Sequence, residues 1–175
     1  EEDIFYYKLN ATTGAVLAKS IFGSDLYEYL SNSFIGVPKV FQKVCDKIHI
    51  FISSEGSMPV TSGVDISASP AVYPLYVILD EATGSITYST YLGAGKARSQ
   101  TINIENNKAY FSTNISSPNK FTTTVPDPTK GGDYDVGYTV LDLLPDFINT
   151  DIDDVSPSTQ TVCKLGNIGT LSAPN

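Results

Sequence analysis

From residue 4 to residue 114 the chain is built from short runs rich in apolar, β-branched and aromatic residues, several alternating with a period of two, punctuated by Gly, Asn, Asp and Ser. Ile4-Phe5-Tyr6-Tyr7, Val37 to Val44, Lys47 to Ser53, Leu75 to Leu79, Ser85 to Leu92, Ser99 to Glu105 and Lys108 to Asn114 are such runs. This pattern predicts antiparallel strands. Two of the breaks share one form. Leu9-Asn10-Ala11-Thr12-Thr13-Gly14 stands seventy residues before Leu79-Asp80-Glu81-Ala82-Thr83-Gly84. In each, an apolar strand leads into Asn or Asp, two variable residues, Thr and Gly, and a second strand follows. Gly supplies the positive φ of a hairpin turn, and the Asx side chain bonds the backbone two residues on.

A second alignment point makes this a repeat. Lys47-Ile48-His49-Ile50 matches Lys108-Ala109-Tyr110-Phe111 at an offset of 61, and one insertion of about the length of Asp25 to Ser33 reconciles the two offsets. Within that insertion Asp25 is a candidate N-cap, with Glu28 three residues on as a capping box and Leu26, Tyr27 and Leu30 forming an apolar side. These residues predict a short helix. Cys45-Asp46 and Asn106-Asn107 are the expected turns of the later hairpins. The chain therefore predicts an all-β fold, with antiparallel four-strand meanders repeated twice over about residues 4–54 and 74–114 and one short helix in the first.

Ser57 to Tyr73 is rich in Ser, Gly and Pro and predicts an irregular connection. After Ser117 the repeat fades into a divergent tail, 115–175. There Phe121 to Val125 predicts a strand, Tyr138 to Leu144 a strand or a short helix, Asn149 to Ser158 an acidic loop, and Thr161 to Leu165 a last strand carrying Cys163.

The 175 residues suffice for a single all-β domain with a real core, or for a piece of a larger one. A composition of 41% hydrophobic and only 17% charged residues, with 11 Tyr and 8 Phe, supports the β reading. The net charge of −8 removes nucleic acid from the partners, since phosphate binders concentrate Lys and Arg on one face. No run approaches the roughly 18 apolar residues of a membrane helix, and no basic-then-apolar leader opens the chain. Beginning at Glu1-Glu2-Asp3 without Met, it reads as processed or trimmed.

Two cysteines, Cys45 and Cys163, match neither a zinc pattern nor C-x-x-C. Low charge and an even cysteine count suit an exported, extracellular or cell-surface protein in which they pair; two buried thiols are the alternative. Asn10-Ala11-Thr12 and Asn114-Ile115-Ser116 are sequons that permit glycosylation, the first lying inside the turn motif.

No complete catalytic constellation is present. His49, the single histidine, lies in an apolar run without an orienting carboxylate, which favours a structural role. Gly56-Ser57 is not a nucleophile elbow. The carboxylates cluster at Asp127, Asp133 and Asp135 and at Asp151, Asp153 and Asp154, where alternating Asp residues are candidate Ca²⁺ ligands or a solvated acidic loop. Tyr6, Tyr76, Tyr88 and Tyr110 lie on predicted strands, serving either the core or, where they point outward, sugar and protein contacts.

Tyr7 to Gly14, Lys47 to Ser53, Tyr76 to Gly84 and Lys108 to Thr113 together resemble the blades of quinoprotein-like β-propellers, over roughly residues 4–114. That superfamily includes dehydrogenases, assembly scaffolds and the C-terminal propellers of type IV pilus tip adhesins. Dehydrogenase-type blades usually carry Trp four residues after the turn Gly, where this chain has Ala18 and Tyr88 and contains no Trp at all. The looser pilus-tip form is closer, and the resemblance to it implies calcium in an acidic loop. Propellers need four or more blades and two units stand here, so a propeller fragment, a partner in an assembly and a β-sandwich remain alternatives. The expectation is a non-enzymatic, extracellular binding or adhesion module whose partner is a protein or glycan surface. The alternatives are a surface-filament subunit assembled by β-strand pairing, with copies of itself as partner, and then a fragment of a quinone-dependent dehydrogenase.

Overall fold

The computed structural model describes residues 3–29, 39–58, 60–61, 73–92, 97–115, 135–143, 160–164 and 167–171. The expected all-β, antiparallel architecture is present, and no helix occurs among the described residues. At its centre is a sheet built mainly from β5 (Lys47–Ser54), β6 (Tyr73–Asp80) and β7 (Ile86–Tyr91). The outer edge of β5 carries two short strands end to end, β3 (Glu28–Tyr29) against Ser53 and Ser54, and β4 (Phe41–Val44) against residues 47 to 50.

β5 and β6 are apolar on both faces because both faces are covered. Ile50 and Ile52 pair with Val77 and Leu75 and turn to one side, with Leu79 and Tyr91. Phe51, Tyr76, Ile78 and Tyr88 turn to the other. On the first side lies the hairpin of β1 (Ile4–Leu9) and β2 (Val16–Phe22), which contributes Ile4 and Phe22. On the second lies a three-strand sheet, ordered β10 (Asp135–Asp142), β9 (Lys108–Ile115), β8 (Ala97–Glu105), which contributes Ile102, Ile104, Ala109 and Phe111. Phe111 meets Phe51 and Tyr76 edge-on, with ring centroids 4.9 and 4.8 Å apart. Full burial of such side chains contributes about 1.5–3 kcal/mol each, so the central sheet carries most of the stability. A separate hairpin joins β11 (Gln160–Lys164) to β12 (Asn167–Leu171).

The two hairpins of each repeat unit therefore go to different sheets instead of continuing one four-strand meander. In the second unit β7 pairs with β6, while β8 pairs with β9 in the next layer. Extending one flat sheet would leave an apolar face of β5 and β6 in water; folding β8 and β9 across that face buries it. The layers are joined at one corner, where the Lys39 carbonyl accepts from Ile102 N at 2.8 Å. Beside it the Gln42 amide bonds Ile104 in both directions, donating at 3.0 Å and accepting at 2.8 Å.

The capping-box expectation at Asp25 is overturned. Ser24, not Asp25, supplies the local side-chain bond, accepting from Leu26 N at 3.1 Å, and Glu28 is already in strand β3. The edge of β5 offers Glu28 and Tyr29 backbone partners, which outweigh a short helix with few intrahelical bonds. In the tail, Tyr138 resolves as strand in β10, β12 was not anticipated, and Phe121 to Val125 lies outside the described residues.

Candidate functional site

The two repeat turns share one set of backbone bonds, to which the second adds a bond from the Thr83 hydroxyl to Asp80 Oδ1 at 2.9 Å. Asn10 Oδ1 accepts from Thr12 N and Thr13 N, both at 2.9 Å. Asp80 Oδ1 accepts from Ala82 N at 3.1 Å and Thr83 N at 2.9 Å. Gly14 and Gly84 stand at φ of +72° and +75°, each donating to the Asx carbonyl at 2.8 Å. A ladder irregularity precedes each Asx, between Lys8 and Leu9 and between Ile78 and Leu79.

The second turn differs in being built upon. Glu81 pairs with Lys43 at 2.8 Å and Lys8 at 3.4 Å, and Asp80 pairs with Lys47 at 3.1 Å. The bond from Lys47, joined by those from Thr83, holds the Asp80 carboxyl at about 2, below its ordinary 3.8. The Lys43 bond likewise lowers Glu81. These contacts fasten the β1–β2 hairpin and β4 to the β6–β7 turn, which makes the cluster a structural clamp.

His49 is fully buried, its Nδ1 2.6 Å from the Tyr76 hydroxyl and its ring stacked on that residue at 6.0 Å. Burial, reinforced by Lys47, lowers its pKa to about 4, so the imidazole is neutral near pH 7. No carboxylate is hydrogen-bonded to it among the described residues, and its Nε2 has no hydrogen-bond partner there.

What the hairpin presents outward is mainly apolar, with Lys19 exposed opposite Tyr7. Phe5 (58% exposed), Tyr7, Leu9, Val16, Leu17 and Ile21 (60% exposed) lie on its solvent side, with Phe5 opposite Ile21 in the ladder. A second exposed strip, Val136, Tyr138 and Val140, runs along β10, an edge strand of its sheet among the described residues. Large contiguous apolar patches rarely stay in water without a partner.

Of the two readings of Tyr6, Tyr76, Tyr88 and Tyr110, the geometry favours the core and cross-strand one. Tyr76 and Tyr88 are buried in the core between layers, Tyr6 is half-buried under the hairpin and Tyr110 is half-buried on β9. Among the described residues the outward rings belong to Phe5, Tyr7, Tyr27, Phe41 and Tyr138, which sequence reasoning passed over as contact residues. The available signal was Ile4-Phe5-Tyr6-Tyr7, where successive residues are apolar and both faces of the strand must be so.

Asn10, the first sequon, is held in its turn, whereas Asn114 lies on β9 opposite Val136. Cys45 stands in the β4–β5 turn at φ 58°, against the core beside Val44, and Cys163 lies on β11. Asp135 opens β10, while Asp127, Asp133, Asp151, Asp153 and Asp154 lie outside the described residues. No group of three or more His, Cys, Asp or Glu is poised for a metal among the described residues. The described residues hold no helix long and apolar enough to cross a membrane. No family model matches the chain, and no curated protein or solved structure matches it either.

Proposed function

We propose that this chain is a non-enzymatic binding or adhesion module, extracellular and of the pilus-tip-adhesin kind, that recognises a protein or glycan surface through the outer face of its β1–β2 hairpin. The observation that carries the reading is the row of Phe5, Tyr7, Leu9, Leu17 and Ile21, exposed on a hairpin whose opposite side is fastened to the core. Aromatic and aliphatic side chains on a rigid support are what such recognition uses, because little conformational freedom is lost on contact. A pairing of Cys45 with Cys163 belongs to this reading, and alkylation of both cysteines in the native, unreduced protein would remove that part.

The test is binding of the purified protein to immobilised glycans and surface proteins beside the double variant Phe5→Ser, Ile21→Ser. A drop of at least about tenfold in affinity with an unchanged melting temperature is expected, since each removed anchor is worth about 1 kcal/mol or more. Equal binding by the variant would sink the reading.

A second reading, a filament subunit assembled by strand pairing, draws on β10, an eight-residue edge strand with Val136, Tyr138 and Val140 exposed. It predicts polymers in solution that Tyr138→Lys disperses, because a charge on an edge strand blocks pairing.

A further inference from the structure

Asp3 and Gly23 face each other one step beyond Ile4 and Phe22, the last partners of the β1–β2 ladder. A Cβ on Gly23 would lie 2.1 Å from Asp3 Oδ1 and 2.8 Å from Glu28 Oε2. Two carboxylates thus converge over a residue that has no side chain. Glu28 belongs to β3, on the central sheet, and is only 3% exposed. Its Oε1 accepts from Ser24 Oγ at 2.5 Å and Ser54 Oγ at 2.9 Å. Its Oε2, the oxygen on the Asp3 side, is buried and has no hydrogen-bond partner among the described residues. Neither carboxylate is in an ion pair with a Lys among the described residues.

A buried carboxylate oxygen without a donor, set against a second carboxylate, needs positive charge between the two. We propose that Asp3 and Glu28 hold a divalent, oxygen-preferring cation, Ca²⁺, which ties the β1–β2 hairpin to the edge of the central sheet. Calcium accepts six to eight oxygens in flexible geometry. The two side chains supply the charged ligands, and backbone carbonyls and water complete the shell. With only two carboxylates the affinity falls in the range of extracellular modules, a Kd of about 10⁻⁴–10⁻³ M. The cation fixes the hairpin at its open end, as the Glu81 clamp does at its turn end.

The experiment is a CaCl2 titration of EDTA-dialysed protein, followed by melting temperature and by Tb³⁺ luminescence excited through tyrosine. Tyr91 lies close enough to Glu28 for its hydroxyl to feel that charge and is the expected sensitiser. The wild type should gain about 3 °C or more at roughly tenfold excess of Ca²⁺ over Kd, and Ca²⁺ should displace the Tb³⁺ signal. Asp3→Asn, at the chain's margin, and Glu28→Gln, which keeps an oxygen for Ser24 and Ser54, should each abolish both responses. If Glu28→Gln fails to fold, Asp3→Asn alone decides. A melting temperature indifferent to calcium overturns the proposal. A calcium response that survives in Asp3→Asn overturns it as well, placing the ion elsewhere.

Discussion

The Tyr6 hydroxyl donates a 3.0 Å hydrogen bond to the carbonyl oxygen of Glu81, so the first copy of the repeat is anchored on the turn of the second. Glu81 occupies a variable position of the motif, matched by Ala11 in the first copy. Here its side chain draws in Lys8 and Lys43 while its carbonyl holds Tyr6. Two turns of one conformation have thus acquired different roles. One is a solvent-facing tip, and the other is a foundation.

Substituting the two turn glycines separates those roles. Gly14→Ala meets open space and carries only the left-handed backbone strain of about 1–2 kcal/mol. Gly84→Ala carries the same strain and also places a methyl 3.0 Å from a Tyr6 ring carbon, 3.2 Å from Ser20 Cβ and 3.3 Å from the Lys19 backbone. Urea unfolding should show Gly84→Ala less stable than Gly14→Ala by about 1 kcal/mol or more. Equal losses would mean that the hairpin does not rest on this turn.

The Asp80–Lys47 pair sets a stability change in acid. The folded pKa of Asp80, about 2, lies below its ordinary 3.8. Its contribution is therefore complete above about pH 4 and is lost as pH falls through 2, an effect on the order of 1 kcal/mol once solvent screening of this surface pair is allowed for. Asp80→Asn isolates it, because Asn10 makes the same amide-accepting turn. In chemical denaturation the variant should be less stable than wild type at pH 7, and the difference should shrink to a minor fraction as pH falls to 2.

His49 governs the window above that one. Its folded pKa is about 4, below the ordinary 6.5, so the unfolded chain takes up the proton first. Stability should fall as pH drops from about 6.5 to about 4, by on the order of 3 kcal/mol. NMR titration should place the imidazole midpoint near 4, and His49→Phe should flatten that part of the stability profile. At pH 7 the same variant leaves the Tyr76 hydroxyl without His49 and costs about 1–3 kcal/mol. An imidazole titrating near 6.5 would contradict its burial.

Much of this was legible in local sequence. The Asx-x-x-Thr-Gly turns and the Asn106-Asn107 turn, with both residues at positive φ, follow from short-range chemistry that needs no tertiary partner. Within the first repeat unit, the conformation of the stretch that begins at Asp25 was not legible. Asp25, Leu26 and Glu28 satisfy local rules for a cap, yet the open edge of β5 offered Glu28 and Tyr29 a long-range alternative. The Asp3 and Glu28 carboxylates are twenty-five positions apart, and only the register of Ile4 with Phe22 and of Glu28 with Ser54 brings them together.

Period-two patterning by itself determined that this chain is all-β, where its hairpins turn and that its turns repeat, because those properties reside in a few consecutive residues. Alternation defines two faces of a strand without saying what covers either. Only the tertiary structure decided that Tyr76 and Tyr88 are core while Phe5 and Tyr7 meet water. The same is true of β8 and β9, which fold across the central sheet because its two apolar faces both had to be removed from solvent.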